Sequence, residues 1–377
     1  MSGIVIIGGG ITGTAAAEAL SREGHAVTLI DKQGIAAMAS GRTLGGVRQS
    51  GRHPAELPLA KAAVALWAGL SDALGADVGY RRGGNLRLAR TPAEVDVIRA
   101  LVTSQQAQGL DLAFLPDNDA VRAVAPALSP HVLAASLCPT DGHADPRKAT
   151  RAFADAARRQ GADIREGVAA TAIHVVDDRV VAVATTAGTI PAERVIVAAG
   201  VDTPALLAPL GLHLPLSIRI VSVVQTEPLA PALAQVFGVA NADCAGRQEI
   251  GGRLRFTDGG APLRTWSDTP SHDAVRDVIA LVSHVLPIAG RVSVSRTWTG
   301  LVDQTPDGLP VIDTPGTVAG LVVAAGLSGH GFCLGPISGL LCADLALGRT
   351  PRHDLAAFRL ARFAQGAAGA TTPGLHG

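Results

Sequence analysis

Four glycines stand in the hexapeptide Gly8-Gly9-Gly10-Ile11-Thr12-Gly13, three of them at G-x-G-x-x-G spacing, and a carboxylate, Asp31, follows 18 residues after the last. Glycines at this spacing suit a dinucleotide. Gly8 permits a tight turn, Gly10 lets the backbone approach a pyrophosphate, and Gly13 lets a helix pack close to a strand. A helix beginning here offers free N–H groups and its positive dipole end to phosphate. Asp31 lies near the spacing of about 20 residues at which an acid accepts from ribose hydroxyls. The glycines alone are a weak signal, so the flanking elements decide. Residues 2–7 form an apolar run, 14–22 an alanine-rich helical stretch, and 26–30 a second apolar strand running into Asp31. Strand, turn, helix, strand and acid follow in the order a nucleotide site requires. Which dinucleotide it holds is left open.

The bulk properties narrow the field. A chain of 377 residues exceeds one ordinary core and suffices for two domains. Lys+Arg and Asp+Glu are equal at 32 each, so no net field draws the protein to nucleic acid or anionic lipid. The longest apolar stretches, such as residues 317–327, are broken by glycine and too short to span a bilayer. The N-terminal apolar run lacks a basic region and a cleavage site, so no signal peptide is expected. Cys138, Cys244, Cys333 and Cys342 show no CxxC spacing and no companion histidines. They point to a reduced, cytoplasmic setting, with neither a disulfide frame nor a metal site.

No repeat of 20–50 residues is visible. The chain instead visits the nucleotide fold three times, at residues 1–79, 140–213 and 297–377. Residues 80–139 and 214–296 form a second, substrate-binding domain inserted between these visits. In the first insertion a strand at 84–89 precedes a helix entered at Thr91-Pro92-Ala93-Glu94, which has capping-box spacing. In the second visit a helix at 146–160 precedes strands at 169–176 and 180–186, joined by Asp177-Asp178, and a strand at 194–199 that ends at Gly200. The second insertion alternates as strands around 217–226 and 252–257, with a helix near 272–286. The last visit holds a strand at 321–325, a glycine-rich break and a helix from about 335 to 347. The fold class expected is α/β: a Rossmann-type domain with an inserted, antiparallel-sheet α+β domain.

Three further segments carry a family likeness. They are Ala39-Ser40-Gly41-Arg42-Thr43-Leu44-Gly45-Gly46-Val47-Arg48; Val195-Ile196-Val197-Ala198-Ala199-Gly200; and, near the end, Trp298-Thr299-Gly300-Leu301 and Thr305-Pro306-Asp307-Gly308 leading to Gly326-Leu327-Ser328-Gly329-His330-Gly331-Phe332. With the opening turn, these motifs resemble the FAD-dependent D-amino-acid oxidase superfamily. The branch is that of glycine oxidase, the sarcosine oxidase β-subunit and dye-linked proline dehydrogenase. The resemblance covers nearly the whole chain and is specific to the superfamily rather than to a substrate.

That resemblance implies an extended FAD whose flavin ring lies where the two domains meet. Gly8, Gly10 and Gly13 would hold the pyrophosphate and Asp31 the adenosine ribose. Ser40 and Arg42 would reach the phosphates or ribityl chain, and Gly45 and Gly46 would let the backbone near the ring. Val168 would pack on adenine, and Gly200 would sit near the cofactor. Gly329, His330, Gly331 and Phe332 would wrap the pyrimidine end, and the helix after them would aim its N-terminus at N1 and C2=O. Family members with a covalent flavin use a cysteine or histidine at places matched here by Gly300 and Arg42, so noncovalent FAD is expected, with Cys333 as packing. D-Amino-acid oxidases in the narrow sense hold substrate with tyrosines, whereas this chain has a single one, Tyr80.

The chemistry so implied removes two electrons from the C–N bond of a small amine or amino acid, of the sarcosine, glycine, proline, hydroxyproline or D-amino-acid type. The hydride goes to flavin, and oxygen or another acceptor takes the electrons onward. A carboxylate substrate needs a cation, best an arginine with its bidentate fork. Arg48, Arg52, His53, Arg219, Arg247 and Arg255 are the candidates. Arg48 stands where the chain should pass the ring, Arg255 falls near a lysine that some sarcosine oxidases use toward oxygen, and His53 lies in a loop before Pro54. Trp67, Trp266 and Trp298 are read as core. A 2-hydroxy-acid oxidoreductase of the same fold is one alternative. A non-catalytic FAD-binding subunit is another, and the branch leaves room for a hetero-oligomeric partner.

Overall fold

The computed structural model describes residues 3–364. Met1 and Ser2 of the opening run, and residues 365–377 of the last expected visit, lie outside them. The opening unit is β1 (Gly3–Ile7), α1 (Ile11–Arg22) and β2 (Val27–Asp31). β1 pairs in parallel with β2 on one side and with Gly188–Val197 on the other. It is therefore buried on both faces, as its unbroken Val/Ile sequence requires. Alternation sends Ile4 and Ile6 to one face, where α1 and the Pro146–Arg159, Leu57–Leu74 and Gly331–Ala346 helices pack. Val5 and Ile7 go to the other face, beneath Leu207, Leu214 and a β-hairpin.

The sheet runs Val311–Asp313, Leu321–Ala325, Gly188–Val197, β1, β2, Asp163–Glu166. It is parallel except for the Val311–Asp313 edge. Ala170–Val176 and Arg179–Thr185 form the hairpin, and Asp177 and Asp178 take φ of 48° and 56° between them. Positive φ at both turn residues is the geometry that matches strand twist in a two-residue hairpin, and Asp tolerates it.

A second, nine-stranded sheet is built mainly from residues 85–138 and 217–304. It is antiparallel, with one parallel pair, Val236–Val239 and Asn85–Ala89. Its long strands Ser217–Pro228 and Val294–Gln304 are paired along almost their full length, so the second strand runs through residue 297, where a domain boundary was expected. One face buries Leu86, Leu88, Val224, Phe237, Leu254 and Phe256 against the His272–Val285 helix. The other face looks across at the first sheet.

Three local outcomes differ from the sequence reading. The Leu57–Leu74 helix, unforeseen, is long and apolar enough to cross a membrane. Its apolar side, including Leu59, Ala63, Trp67 and Leu70, is buried in the core. At Pro92–Ala107, the Thr91 hydroxyl accepts from the Glu94 N–H at 3.2 Å, but the Glu94 carboxylate reaches back to the Arg90 N–H at 2.6 Å, one residue beyond a capping box. The last helix begins at Gly331, four residues before the expected start, and carries Pro336 inside it, at the cost of the hydrogen bond that an N–H there would have given the Phe332 carbonyl.

Candidate active site

A cavity of roughly 550 Å³ runs between the two sheets. At one end its wall is Gly8, Gly9, Gly10, Asp31, Val168 and Gly200. Gly13 does not reach the wall; a Cβ there would stand 2.0 Å from the Gly8 carbonyl, so this glycine is what lets α1 pack against the turn. The turn is organised by Asp31. One carboxylate oxygen accepts from Gly9 N–H at 2.7 Å, and the other from Gln33 and Gly34 N–H at 2.8 and 2.7 Å. Asp31 thus builds the loop that surrounds it as well as lining the cavity. Val168 N–H is fixed to the Asp31 carbonyl at 3.0 Å.

Next along the wall, Ser40 Oγ accepts from Ile11 N–H at 2.9 Å and so stands at the N-terminus of α1. Arg42 lines the cavity, but its guanidinium is taken up by Asp268 at 2.7 Å and the Ala37 carbonyl at 2.9 Å, beside the Trp266 ring. Arg42 fastens the first domain to a loop of the second, which corrects its expected reach to phosphate. Gly46 is open to the cavity. Gly45 is not on the wall: a Cβ there would meet the Ala144 carbonyl at 2.4 Å, so close packing replaces the expected approach to the ring.

At the far end the wall is Gly329, Gly331 and Phe332, with Leu301, Val302 and Asp303 beside them. Asp303 accepts from Gly326 N–H at 2.8 Å through its side chain and from Ser328 N–H at 3.0 Å through its carbonyl. Burial pushes its carboxyl up to about 6. Trp67 braces the segment from behind: its Nε1 donates to the Cys333 carbonyl at 2.9 Å, and its ring lies 4.9 Å from that of Phe332. His330 departs from expectation. Its ring turns away from the cavity, and Nδ1 lies 3.2 Å from Glu56 Oε2. Burial, with Arg52 nearby, lowers it to about 4, so it is neutral near pH 7.

Two arginines face this end. Arg48 is 2% and Arg52 6% exposed, and both line the cavity. Arg48 follows the Gly46–Val47 strand, which pairs with Gly142–His143. Its Nη1 donates to the Ser50 carbonyl at 2.5 Å, while its own carbonyl accepts from the Cys333 thiol at 3.4 Å. Arg52 Nε is 3.5 Å from Glu56 Oε1, and its Nη1 is buried with no hydrogen-bond partner. Behind them lie Arg87 and Asp141; Asp141 accepts from Gln49 N–H, Ser50 N–H and the Ser50 hydroxyl. Burial, then Arg52 and Arg87, hold the Arg48 guanidinium well below its usual range. Cations stripped of water and pressed together favour any anion that can join them.

The remaining candidates fall elsewhere. His53 is exposed off the cavity wall, and its Nδ1 accepts from Ala55 N–H at 3.1 Å. Arg255 is drawn into the interface, 2.6 Å from Glu249 and 3.1 Å from the Thr43 carbonyl, over the Trp298 ring. It does not line the cavity, and neither does Arg247, which pairs with His143 at 2.5 Å. Arg219 does line it, while donating to the Gly260 carbonyl at 2.6 Å. Glu56, Asp141 and Asp303 were not foreseen and carry no local signal. Arg87 had one: a lone arginine within Leu86-Arg87-Leu88-Ala89.

The sequence profile of a family described as FAD dependent oxidoreductase, DAO, matches residues 3–345. The chain belongs to the DAO family. Membership makes it an FAD-dependent enzyme of oxidation and reduction. Among curated DAO relatives, glycine oxidase of Geobacillus kaustophilus is 30% identical over 375 residues, covering 95% of this chain and 96% of that one. Sarcosine oxidase subunit beta of Rhizobium meliloti is 27% identical, covering 96% and 88%. The solved L-proline dehydrogenase from P. horikoshii superposes with a TM-score of 0.90 at 28% identity, covering 97% and 98%. The residues present fit FAD. One end of the cavity is a glycine turn at a helix start, where Gly8, Gly9 and Gly10 put no side chain in the way of a phosphate. The other end is flanked by a second helix start at Gly331. Among the described residues, no cluster of three or more His, Cys, Asp or Glu could hold a metal.

Proposed function

We propose that this DAO-family enzyme oxidises the C–N bond of a small amino or imino acid. The observation that carries the reading is the placement of Arg48 and Arg52 on the cavity wall beside the Gly331 helix start. In it, the substrate carboxylate lies against Arg48 and supplies the acceptor that Arg52 Nη1 lacks. Bound FAD would take the hydride, leaving an imine that water hydrolyses. The protein's part is binding, orientation and exclusion of water. Val221, Val223, Ala245 and Leu301 give the second sheet an apolar wall that desolvates the amine. The N–H groups at the start of the Gly331–Ala346 helix favour negative charge where they point.

In this reading Gly8, Gly10, Ser40, Asp31, Val168 and Gly200 grip the nucleotide half, and Gly46, Gly329, Gly331 and Phe332 the flavin half. Attachment is noncovalent, since Gly300 carries no side chain and Cys333 is buried with its thiol donating to Arg48. Acid precipitation therefore releases the yellow chromophore into the supernatant; colour kept in the pellet overturns this point. For the reaction, the protein is mixed without air with N-methylglycine, glycine, both prolines, hydroxyprolines and D-amino acids. Bleaching of the flavin by at least one of them is expected. Bleaching by 2-hydroxy acids and by no amine would falsify the amine reading.

A further inference from the structure

Three guanidinium groups, Arg48, Arg52 and Arg87, meet two carboxylates, Glu56 and Asp141, at the end of the cavity where the substrate carboxylate is read to lie. With His330 neutral, these five groups together carry one positive charge in excess. Glu56 is fully buried and sits at the start of the Leu57–Leu74 helix, whose backbone holds it in place: Glu56 N–H donates to the His53 carbonyl at 2.9 Å, and Ala60 N–H to the Glu56 carbonyl at 2.9 Å. Its two oxygens divide their attention between Arg52 at 3.5 Å and His330 at 3.2 Å. Burial opposes its charge, but the hydrogen bond with His330 and the guanidinium groups of Arg52 and Arg48 keep its carboxyl low, so it is ionised. Asp141 is spoken for by three donors of the 49–50 turn, which leaves Glu56 as the group that sets how much of Arg52's charge reaches the cavity.

We propose that Glu56 is a specificity-determining residue that restricts this site to ligands bearing a single carboxylate, a step that rests on Arg48 and Arg52 being the carboxylate clasp. One excess charge is matched by a monoanion. A dianion brings a second buried charge with no cation to meet it, which is costly in a site of low dielectric. Without Glu56 the excess rises to two, and a dianion becomes the better match. Glu56 touches neither the cavity wall nor any reacting atom; it acts through Arg52.

The test titrates acetate and malonate into the full-length, FAD-loaded protein and follows the flavin visible spectrum and the heat of binding. The unaltered protein binds acetate at least about tenfold more tightly than malonate. Glu56→Gln shifts that ratio toward malonate by at least about tenfold, and Glu56→Asp, which keeps the charge, stays near the original ratio. Malonate binding as well as acetate to the unaltered protein overturns the inference, whether or not Glu56→Gln folds. So does an unchanged ratio in a Glu56→Gln protein that keeps its flavin and melting temperature. Binding of neither anion overturns the clasp itself, and with it the inference, so the two failures are told apart.

Discussion

The carboxylate of Glu56 lies 3.2 Å from Nδ1 of His330 and joins the start of one core helix to the glycine segment that opens another. The same carboxylate faces Arg52. The segment that lines one side of the cavity and the arginines that line the other are thus referred to a common point. Arg48 is tied in as well, through the Cys333 thiol on its carbonyl.

Arg48→Met should raise KM for the carboxylate substrate on the order of 100-fold, or about 3 kcal/mol, while the flavin stays bound. Steady-state kinetics beside the flavin-to-protein absorbance ratio checks this. A KM within about threefold of the original would move the carboxylate elsewhere, with Arg219 the next candidate on the wall.

Gly13→Ala should lose FAD. The added methyl must displace the Gly8 carbonyl from 2.0 Å, and both partners are backbone held by α1 and β1. Overpacking of this kind costs roughly 1–3 kcal/mol or more and opens the phosphate turn. Purified variant protein should be colourless or release flavin on dilution, read by flavin fluorescence. Tight, yellow protein would contradict the packing described for this turn.

Asp303 should make the protein less stable as pH rises from about 4 to about 6. Its folded carboxyl is pushed up to about 6 by burial, so the folded state holds a proton that the unfolded chain, near 3.8, has released. Its contribution is fully present below about 4 and gone above about 6, a change on the order of 3 kcal/mol. Asp303→Asn should remove that slope and gain stability at pH 8. Urea unfolding at pH 4.5 and 8 reports it. Parallel pH profiles for both proteins would show that Asp303 does not titrate in this window.

Trp67→Phe should cost about 2 kcal/mol, from the lost donor to the Cys333 carbonyl and the volume left against Phe332. Chemical denaturation measures the stability. Flavin release on dilution should be faster, because the segment from Gly331 to Cys333 loses its brace.

The parts legible in the sequence are those whose geometry is local. The glycine turn, α1 and the Asp177-Asp178 hairpin follow from backbone freedom and short-range pattern. Residues joined across the chain were not legible. Alternation could show Arg255 on a strand but not that Glu249 and Thr43 wait for it. The 329–332 motif placed His330 near the cavity, yet the side on which its ring lies depends on a carboxylate 274 positions away. Leu57–Leu74 was obscured by Pro58 and Gly69, both tolerated in a helix whose stability comes from burial.

The pairing of Ser217–Pro228 with Val294–Gln304 has a consequence for how relatives of this enzyme can diverge. Val221 and Val223 face the cavity while Val224, between the same strands, faces the core. Inserting or deleting a single residue in either strand would exchange the two faces over the stretch beyond it. The substrate wall can therefore be retuned by substitution, one side chain at a time, whereas changes of length are confined to the loops at the strand ends.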